Sequence, residues 1–266
     1  MDIGYEMMDT TVNAVIEKAH NIISAHGFST RIGGVSENEF ESLNLGMNRG
    51  DDEARVKENW RRFLKAAAID EDKFVCGRQV HGNYVHIASD KDARAAYGAG
   101  EIIEADGYVT NVSGLPIVIF NADCIPVILE DANAQVVGAV HSGWRSTAAD
   151  IAGSALNAMQ ELGAHIEDIH VAIGPGIDKC CFEVGPEVIE AMEKLLFTEH
   201  KLWNQKPDGK YMLDLRGVVR QRFIQLGIED KNIELVGGCT MCNPDRYFSH
   251  RYSGGRRGSM AAVVKL

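Results

Sequence analysis

Residues 115–141 read Leu115-Pro116-Ile117-Val118-Ile119-Phe120-Asn121-Ala122-Asp123-Cys124-Ile125-Pro126-Val127-Ile128-Leu129-Glu130-Asp131-Ala132-Asn133-Ala134-Gln135-Val136-Val137-Gly138-Ala139-Val140-His141. Three apolar runs stand out, at 115–120, 125–129 and 135–141. Each has the length of a strand and is rich in Val and Ile, whose branched Cβ atoms suit a pleated surface. Asp131-Ala132-Asn133, between the second and third runs, has the turn-forming chemistry of a hairpin. Beyond them the period changes. Over 147–162, Ile151, Ala155, Met159 and Leu162 share one helical face, and Gly163 stands at the expected stop. Strands in pairs and triplets between single helices predict an α+β fold rather than a regular βαβ series.

Working outward, Val12, Val15, Ile16, Ile22 and Ile23 recur at mainly helical spacing and predict a short helix over 11–25. Asp51-Asp52 open a second helix carrying Val56, Trp60, Phe63 and Leu64, with acidic residues at its start to complement the helix dipole. Strands are expected at 74–80, 84–88, 169–173, 233–236 and 260–265, and helices at 186–197 and 213–226. The chain has no internal repeat, low-complexity tract or evident linker, and 266 residues suit one large domain or two small ones.

A hydrophobic content of 45% with 24% charged residues is ordinary for a soluble globular protein. The net charge of −11 argues against a nucleic-acid partner, since that affinity needs clustered Lys and Arg, but it permits a local basic pocket for one small anion. No apolar run reaches the roughly 20 residues that span a bilayer, so no membrane partner is expected. Residues 1–10 carry Asp2, Glu6 and Asp9 and lack the basic start of a secretory leader. Six cysteines are too few for a disulfide scaffold in a chain of this length, and reduced thiols in the cytoplasm are the expectation.

Cys124 and His141 each stand where an apolar run meets a turn, and Gln79-Val80-His81-Gly82 places a third donor in the same setting. Two imidazoles and a thiolate can fill three of the four tetrahedral positions around zinc and leave one open for water or substrate. Their wide separation along the chain puts them on different elements of a preformed scaffold. Taken singly each is a modest signal, since a lone cysteine in an apolar strand is usually a small buried hydrophobe. Asp123 can orient one of the imidazoles or cap its own turn. Arg145 can present its planar fork to a phosphate or stack on Trp144.

Cys239-Thr240-Met241-Cys242 has the spacing of half a zinc ribbon. The neighbouring pair Cys180-Cys181 offers poor geometry for joint chelation, so structural or incidental thiols are expected there. Gly174-Pro175-Gly176 lacks the lysine and hydroxyl residue of a P-loop and reads as a tight turn near the site. Residues 254–258 read as a flexible basic loop, either a lid or plain surface.

Gln79-Val80-His81-Gly82, Ala122-Asp123-Cys124-Ile125-Pro126, Val140-His141-Ser142-Gly143-Trp144-Arg145 and Ile173-Gly174-Pro175-Gly176-Ile177 resemble the motifs of the YfiH family. That family was once labelled multicopper polyphenol oxidase or laccase domain and is now described as zinc-dependent purine nucleoside phosphorylase. The resemblance extends from Arg31 in Thr30-Arg31-Ile32-Gly33-Gly34-Val35-Ser36, through Asn44 in Ser42-Leu43-Asn44-Leu45-Gly46, to Phe248-Ser249-His250-Arg251. It implies a single catalytic domain over 1–266, with mixed β-sheets layered against outer helices. It also implies a zinc cofactor held by His81, Cys124 and His141, which would be the catalytic residues as well, and substrate contacts from Arg31, Asn44 and Arg145. The implied substrates are phosphate with adenosine, inosine, guanosine or S-methyl-5'-thioadenosine, and adenosine deamination is an implied companion activity.

Two rival enzyme classes stand beside this reading, the second built on the same residues. The older label requires copper, but a laccase needs several coppers, and nine histidines with no His-x-His pair make that improbable. A metal-free cysteine hydrolase would use Cys124 as nucleophile with His81 or His141 as its base.

Overall fold

The apolar runs on either side of Asp131 form one antiparallel hairpin. Strand Ile125–Asp131 pairs with Val136–Ser142, with Val127 opposite Val140 and Pro126 opposite His141. At the turn, the Asp131 carboxylate accepts hydrogen bonds from the backbone N–H groups of Asn133 and Ala134, at 3.0 and 2.9 Å. Both strands are buried along their whole length, which explains runs of Val and Ile where a half-exposed strand would alternate. The computed structural model describes residues 13–98, 100, 102–196 and 202–266, so the leader reading of residues 1–10 lies outside it.

The hairpin is the centre of a six-stranded sheet. Its strand order is Ile233–Leu235, His170–Ile173, Ile125–Asp131, Val136–Ser142, Gly107–Thr110, Val85–Ile87. The sheet is mixed, parallel at each edge pair and antiparallel through the middle. Ile125, Val127, Leu129, Val136 and Val140 pack in one core with helices Ile151–Glu161, Pro186–Leu196 and Leu215–Gln225. Ile128, Val137 and Ala139 belong to a second core, against Phe28, Ile117, Ile119, Ala262 and Val264. These partners come from a four-stranded antiparallel sheet ordered Ile16–Glu17, Ala25–Ser29, Met260–Lys265, Ile117–Asn121. In a third core, Val118, Ala261 and Val263 of this sheet meet Trp60, Phe63 and Leu64 of helix Glu53–Ala66. The result is a helix–sheet–sheet–helix stack. Each fully enclosed Ile or Val contributes about 1.5–3 kcal/mol of burial.

The structure corrects three sequence expectations. No helix forms among the described residues of 11–25. Ile16–Glu17 is instead an edge strand against Ala25–Ser29, and Ile16 packs over Gly27. A segment rich in β-branched residues gains more by completing that sheet than by helical spacing. The helix expected over 147–162 is two, Trp144–Ala148 and Ile151–Glu161, broken where Asp150 takes a left-handed conformation at φ 63°. Of the strand expected at 74–80, only Phe74 is in one, the two-residue strand Lys73–Phe74. Val75 bridges to Ile117 and Arg78 to Glu104, after which the chain bends into the turn that carries His81.

Candidate metal centre

The antiparallel hairpin brings Cys124 and His141 together, because the start of one strand lies beside the end of the other. His81 arrives from a separate loop. One donor atom from each of the three residues lies within 4.8 Å of the other two. His81 Nε2 is 3.9 Å from Cys124 Sγ, and the two imidazole rings stand edge to face with centroids 4.9 Å apart. A Cβ placed on Gly143 would meet Cys124 Sγ and His81 Cδ2 at 3.0 Å and His141 Cε1 at 3.7 Å. The donors therefore converge on a space that glycine leaves open. Two nitrogens and one sulfur at these separations fit a zinc-class ion with an open position.

Asp106 organises this set, and the sequence reading overlooks it. It sits just before strand Gly107–Thr110, beside His141, whose N–H donates to the Asp106 carbonyl at 2.7 Å. The fully buried Asp106 carboxylate lies 2.9 Å from His141 Nδ1 and accepts from the N–H groups of Val80, His81 and Gly82 at 3.1, 3.0 and 2.7 Å. One side chain thus directs a ligand imidazole and fixes the backbone that presents the other. His81 is held in the left-handed region at φ 60°, a conformation that this many bonds can sustain. An ionised carboxylate only accepts, so His141 carries its proton on Nδ1 and turns Nε2 towards the centre.

The electrostatics follow from these contacts. Burial alone would push the Asp106 carboxyl up, but the bonds from His141, Gly82 and Val80 outweigh it and hold the group below the usual range. Burial likewise opposes the Cys124 thiolate. The charge of His141 and hydrogen bonds from His141 and His81 win, pulling the thiol down to about 6. Against its own burial, His141 is raised to about 9 by Cys124 and Asp106. Without a bound cation, thiolate and imidazolium stabilise each other.

Asp123, the alternative orienting residue, takes the turn role. Its carboxylate accepts from Thr240 Oγ1 at 2.6 Å and from the Arg251 N–H at 2.7 Å, while its carbonyl accepts from the Ile177 N–H at 2.8 Å. Gly174-Pro175-Gly176 makes the close approach expected of it, since a Cβ on Gly176 would lie 2.3 Å from Ile125 Cδ1.

The three donors open onto a cavity of about 690 Å³, within the usual range for small-molecule sites. Phe120, Trp144, Ile177 and Phe182 supply apolar wall. The same cavity gathers Arg49, Arg78, Arg94, Arg145, Arg251 and Arg257, with His250 beside them, in a chain of net charge −11. Arg145 both lines the cavity and stacks over Trp144, at 4.2 Å from the ring centroid. Arg257 bonds the Gly258 carbonyl and Ser259 Oγ at 2.8 and 3.0 Å through Nη1, while its buried Nε has no partner. Burial, and then the neighbouring charge of Arg49, lower the Arg257 pKa to about 10. An anion between Arg49 and Arg257 would relieve both costs. Arg257 falls in the loop read from sequence as a flexible basic surface or lid.

Arg31 and Asn44 do not line the cavity. The Arg31 guanidinium bonds the carbonyls of Glu41 and Pro244, each at 2.8 Å, and lies over Phe248. Asn44 is fully buried. It donates to Asp51 at 2.8 Å and accepts from the N–H groups of Gly46 and Ser259 at 2.9 and 2.8 Å, so it braces two residues of the cavity wall.

The chain is 35% identical over 243 residues to the purine nucleoside phosphorylase YlmD of Geobacillus stearothermophilus, covering 90% of this chain and 88% of that one. It is 33% identical over 247 residues to an adenosine deaminase, RL5, from an unknown prokaryotic organism, covering 90% and 93%. The crystal structure of the Geobacillus stearothermophilus YlmD superimposes with a TM-score of 0.87 at 34% identity, over 93% of each chain. The model of the multi-copper polyphenol oxidoreductase laccase family matches residues 25–266. The chain belongs to that laccase-like family, the one that includes YlmD and YfiH.

Proposed function

We propose that this protein is a zinc-dependent purine nucleoside phosphorylase acting on adenosine, inosine, guanosine and S-methyl-5'-thioadenosine, with adenosine deamination as a companion activity. The observation that carries the reading is a His81–Cys124–His141 donor set opening onto a cavity that combines apolar wall with several arginines. The names of the relatives, phosphorylases and one deaminase, point the same way. When bound, zinc would supply a Lewis-acidic charge able to polarise a phosphate or water oxygen.

The chain's own residues do the rest. Arg257 and Arg49 hold phosphate, with Arg145 within reach as a further fork. Trp144 and Phe182 give the purine an apolar surface that excludes water. In phosphorolysis a phosphate oxygen bonds to the ribose carbon as the N-glycosidic bond breaks. The electron pair then leaves with the base, which must be met by fixed positive charge or a proton donor. Asp106 keeps the Nδ1 proton of His141 in place throughout.

The test is chromatographic analysis of adenosine incubated with the zinc-loaded protein, with and without phosphate, beside a Cys124→Ala control. Phosphate-dependent adenine that vanishes in the control is the expected result. Inosine alone would reassign the centre to deamination, and no product in any arm would overturn the reading. Arg257→Gln is expected to raise the phosphate KM about ten-fold or more while leaving zinc content unchanged.

A second reading has one observation in its favour. Cys124, His141 and Asp106 line up as nucleophile, base and orienting acid, and the thiol is lowered to about 6. A metal-free cysteine hydrolase would lose activity irreversibly to a thiol alkylator and remain insensitive to chelation. The zinc enzyme would be silenced by chelation and restored by zinc.

A further inference from the structure

Adjacency of Cys180 and Cys181 argues from sequence against their joining Cys239 and Cys242 on one ion; the fold removes that objection. Gly176 bridges to Cys239, and the Thr240 N–H donates to the Gly176 carbonyl at 2.9 Å, so the two cysteine-bearing loops run side by side. All four sulfurs lie within 4.8 Å of one another. Cys242 Sγ is 3.4 Å from Cys180 Sγ and 3.3 Å from Cys181 Sγ. These separations are far beyond a disulfide bond of about 2.05 Å. They lie a few tenths of an ångström inside the spacing of about 3.8 Å that four thiolates adopt at about 2.3 Å around a tetrahedral ion. A multi-iron cluster would need a wider cage than 4.8 Å allows.

The surroundings suit a metal thiolate. The Asp178 N–H donates to Cys239 Sγ at 3.4 Å, and Asn243 Nδ2 fixes the Cys239 carbonyl at 2.8 Å. Cys180 and Cys242 are exposed, so an ion can enter without unfolding the chain. Four soft donors with no imidazole or carboxylate favour zinc over harder cations, and full coordination leaves no position for substrate. The site also touches the catalytic turn. Thr240, between the two cysteines, holds Asp123 Oδ1, and Ile177 on the opposite loop holds the Asp123 carbonyl, next to Cys124.

We propose that Cys180, Cys181, Cys239 and Cys242 bind a second, structural zinc ion that clamps these two loops and steadies the Asp123–Cys124 turn. The site is independent of the His81–Cys124–His141 set and of the activity assigned to it. Its test is metal analysis of protein purified under reducing conditions, in three forms: wild type, His81→Ala/Cys124→Ala, and Cys239→Ser/Cys242→Ser. The His81→Ala/Cys124→Ala variant dismantles the central set and leaves the thiol cluster intact. It is expected to retain one zinc per chain, and after cobalt exchange to show intense thiolate-to-metal charge transfer and tetrahedral d–d bands. The Cys239→Ser/Cys242→Ser variant is expected to lose one equivalent and melt at a lower temperature. If that variant fails to fold, the cobalt spectrum of the first still decides. Absence of zinc from the His81→Ala/Cys124→Ala protein, or a cobalt spectrum without thiolate bands, would overturn the proposal.

Discussion

Asp106 shows how much one carboxylate can organise. It accepts from three consecutive backbone N–H groups and bonds a buried imidazole, so its loss acts on two candidate ligands at once. Asp106→Asn keeps the shape, but its amide must either turn a donor towards the backbone N–H groups or abandon His141. Metal affinity is expected to fall about 10–100-fold, measured by competition with a chromophoric chelator, with the fold retained by circular dichroism. Gly143 tests the centre by volume alone. Its φ of −75° suits any residue, so the glycine is required by space and not by conformation. Gly143→Ala sets a methyl 3.0 Å from Cys124 Sγ and His81 Cδ2, and activity is expected to drop about ten-fold or more with little change in melting temperature. His81, Cys124 and His141 each gave only a modest signal in sequence, as polar donors where apolar runs meet turns, and it was the family resemblance that joined them into one candidate set. Asp106 gave none, since its partner His141 is 35 residues away and nothing beside it in the chain signals the contact.

At the scale of elements, the break between helices Trp144–Ala148 and Ile151–Glu161 is maintained by Asp150. Its carboxylate caps Gly153 N–H at 3.2 Å and takes a two-point bond from Arg222 at 2.8 and 2.6 Å. Asp150→Ala is expected to cost about 1–3 kcal/mol at neutral pH, from the lost cap, the lost ion pair and an alanine forced to positive φ. The pH dependence has a definite sign. Burial would raise the Asp150 carboxyl, but Arg222 and the Gly153 N–H hold it below its unfolded value. Its stabilisation is therefore fully present above about pH 4 and is lost as pH falls through the depressed folded value. Urea titrations at neutral pH and near pH 3 should show the gap between wild type and Asp150→Ala narrowing in acid; a constant gap would exclude the ion pair as its source. The apolar period over 147–162 revealed the helical face but not the break, because Ile151, Ala155, Met159 and Leu162 all lie beyond Asp150 and say nothing of where the helix starts. The same blindness to long range hid the thiol cluster, whose two halves are 61 and 62 residues apart along the chain.

For the molecule as a whole, two sheets stacked face to face account for why the central strands were so readable. Ile117 and Ile119 face the six-stranded sheet while Val118 faces helix Glu53–Ala66, so a strand with both sides covered is apolar without alternation from Ile117 to Phe120. Ile119→Ala should cost about 2–5 kcal/mol in denaturant unfolding while leaving the turnover of the surviving folded protein unchanged, because Ile119 lies in the intersheet core and does not line the cavity. The layering itself was visible only through family resemblance, since nothing in a strand's composition says which sheet it joins. The hairpin between residues 125 and 142 carries a last consequence, for quality control during folding. Its turn lies at one end and the candidate ligands at the other, so the rungs must pair in the correct register for Cys124 to meet His141. A slip of one residue would invert both apolar faces. A slip of two would preserve them yet displace His141 along its strand by about 7 Å, leaving a chain that looks folded and has no working centre. Catalysis in this protein would then serve as a proofreading signal for its own strand alignment, one that spectroscopic measures of secondary structure would miss.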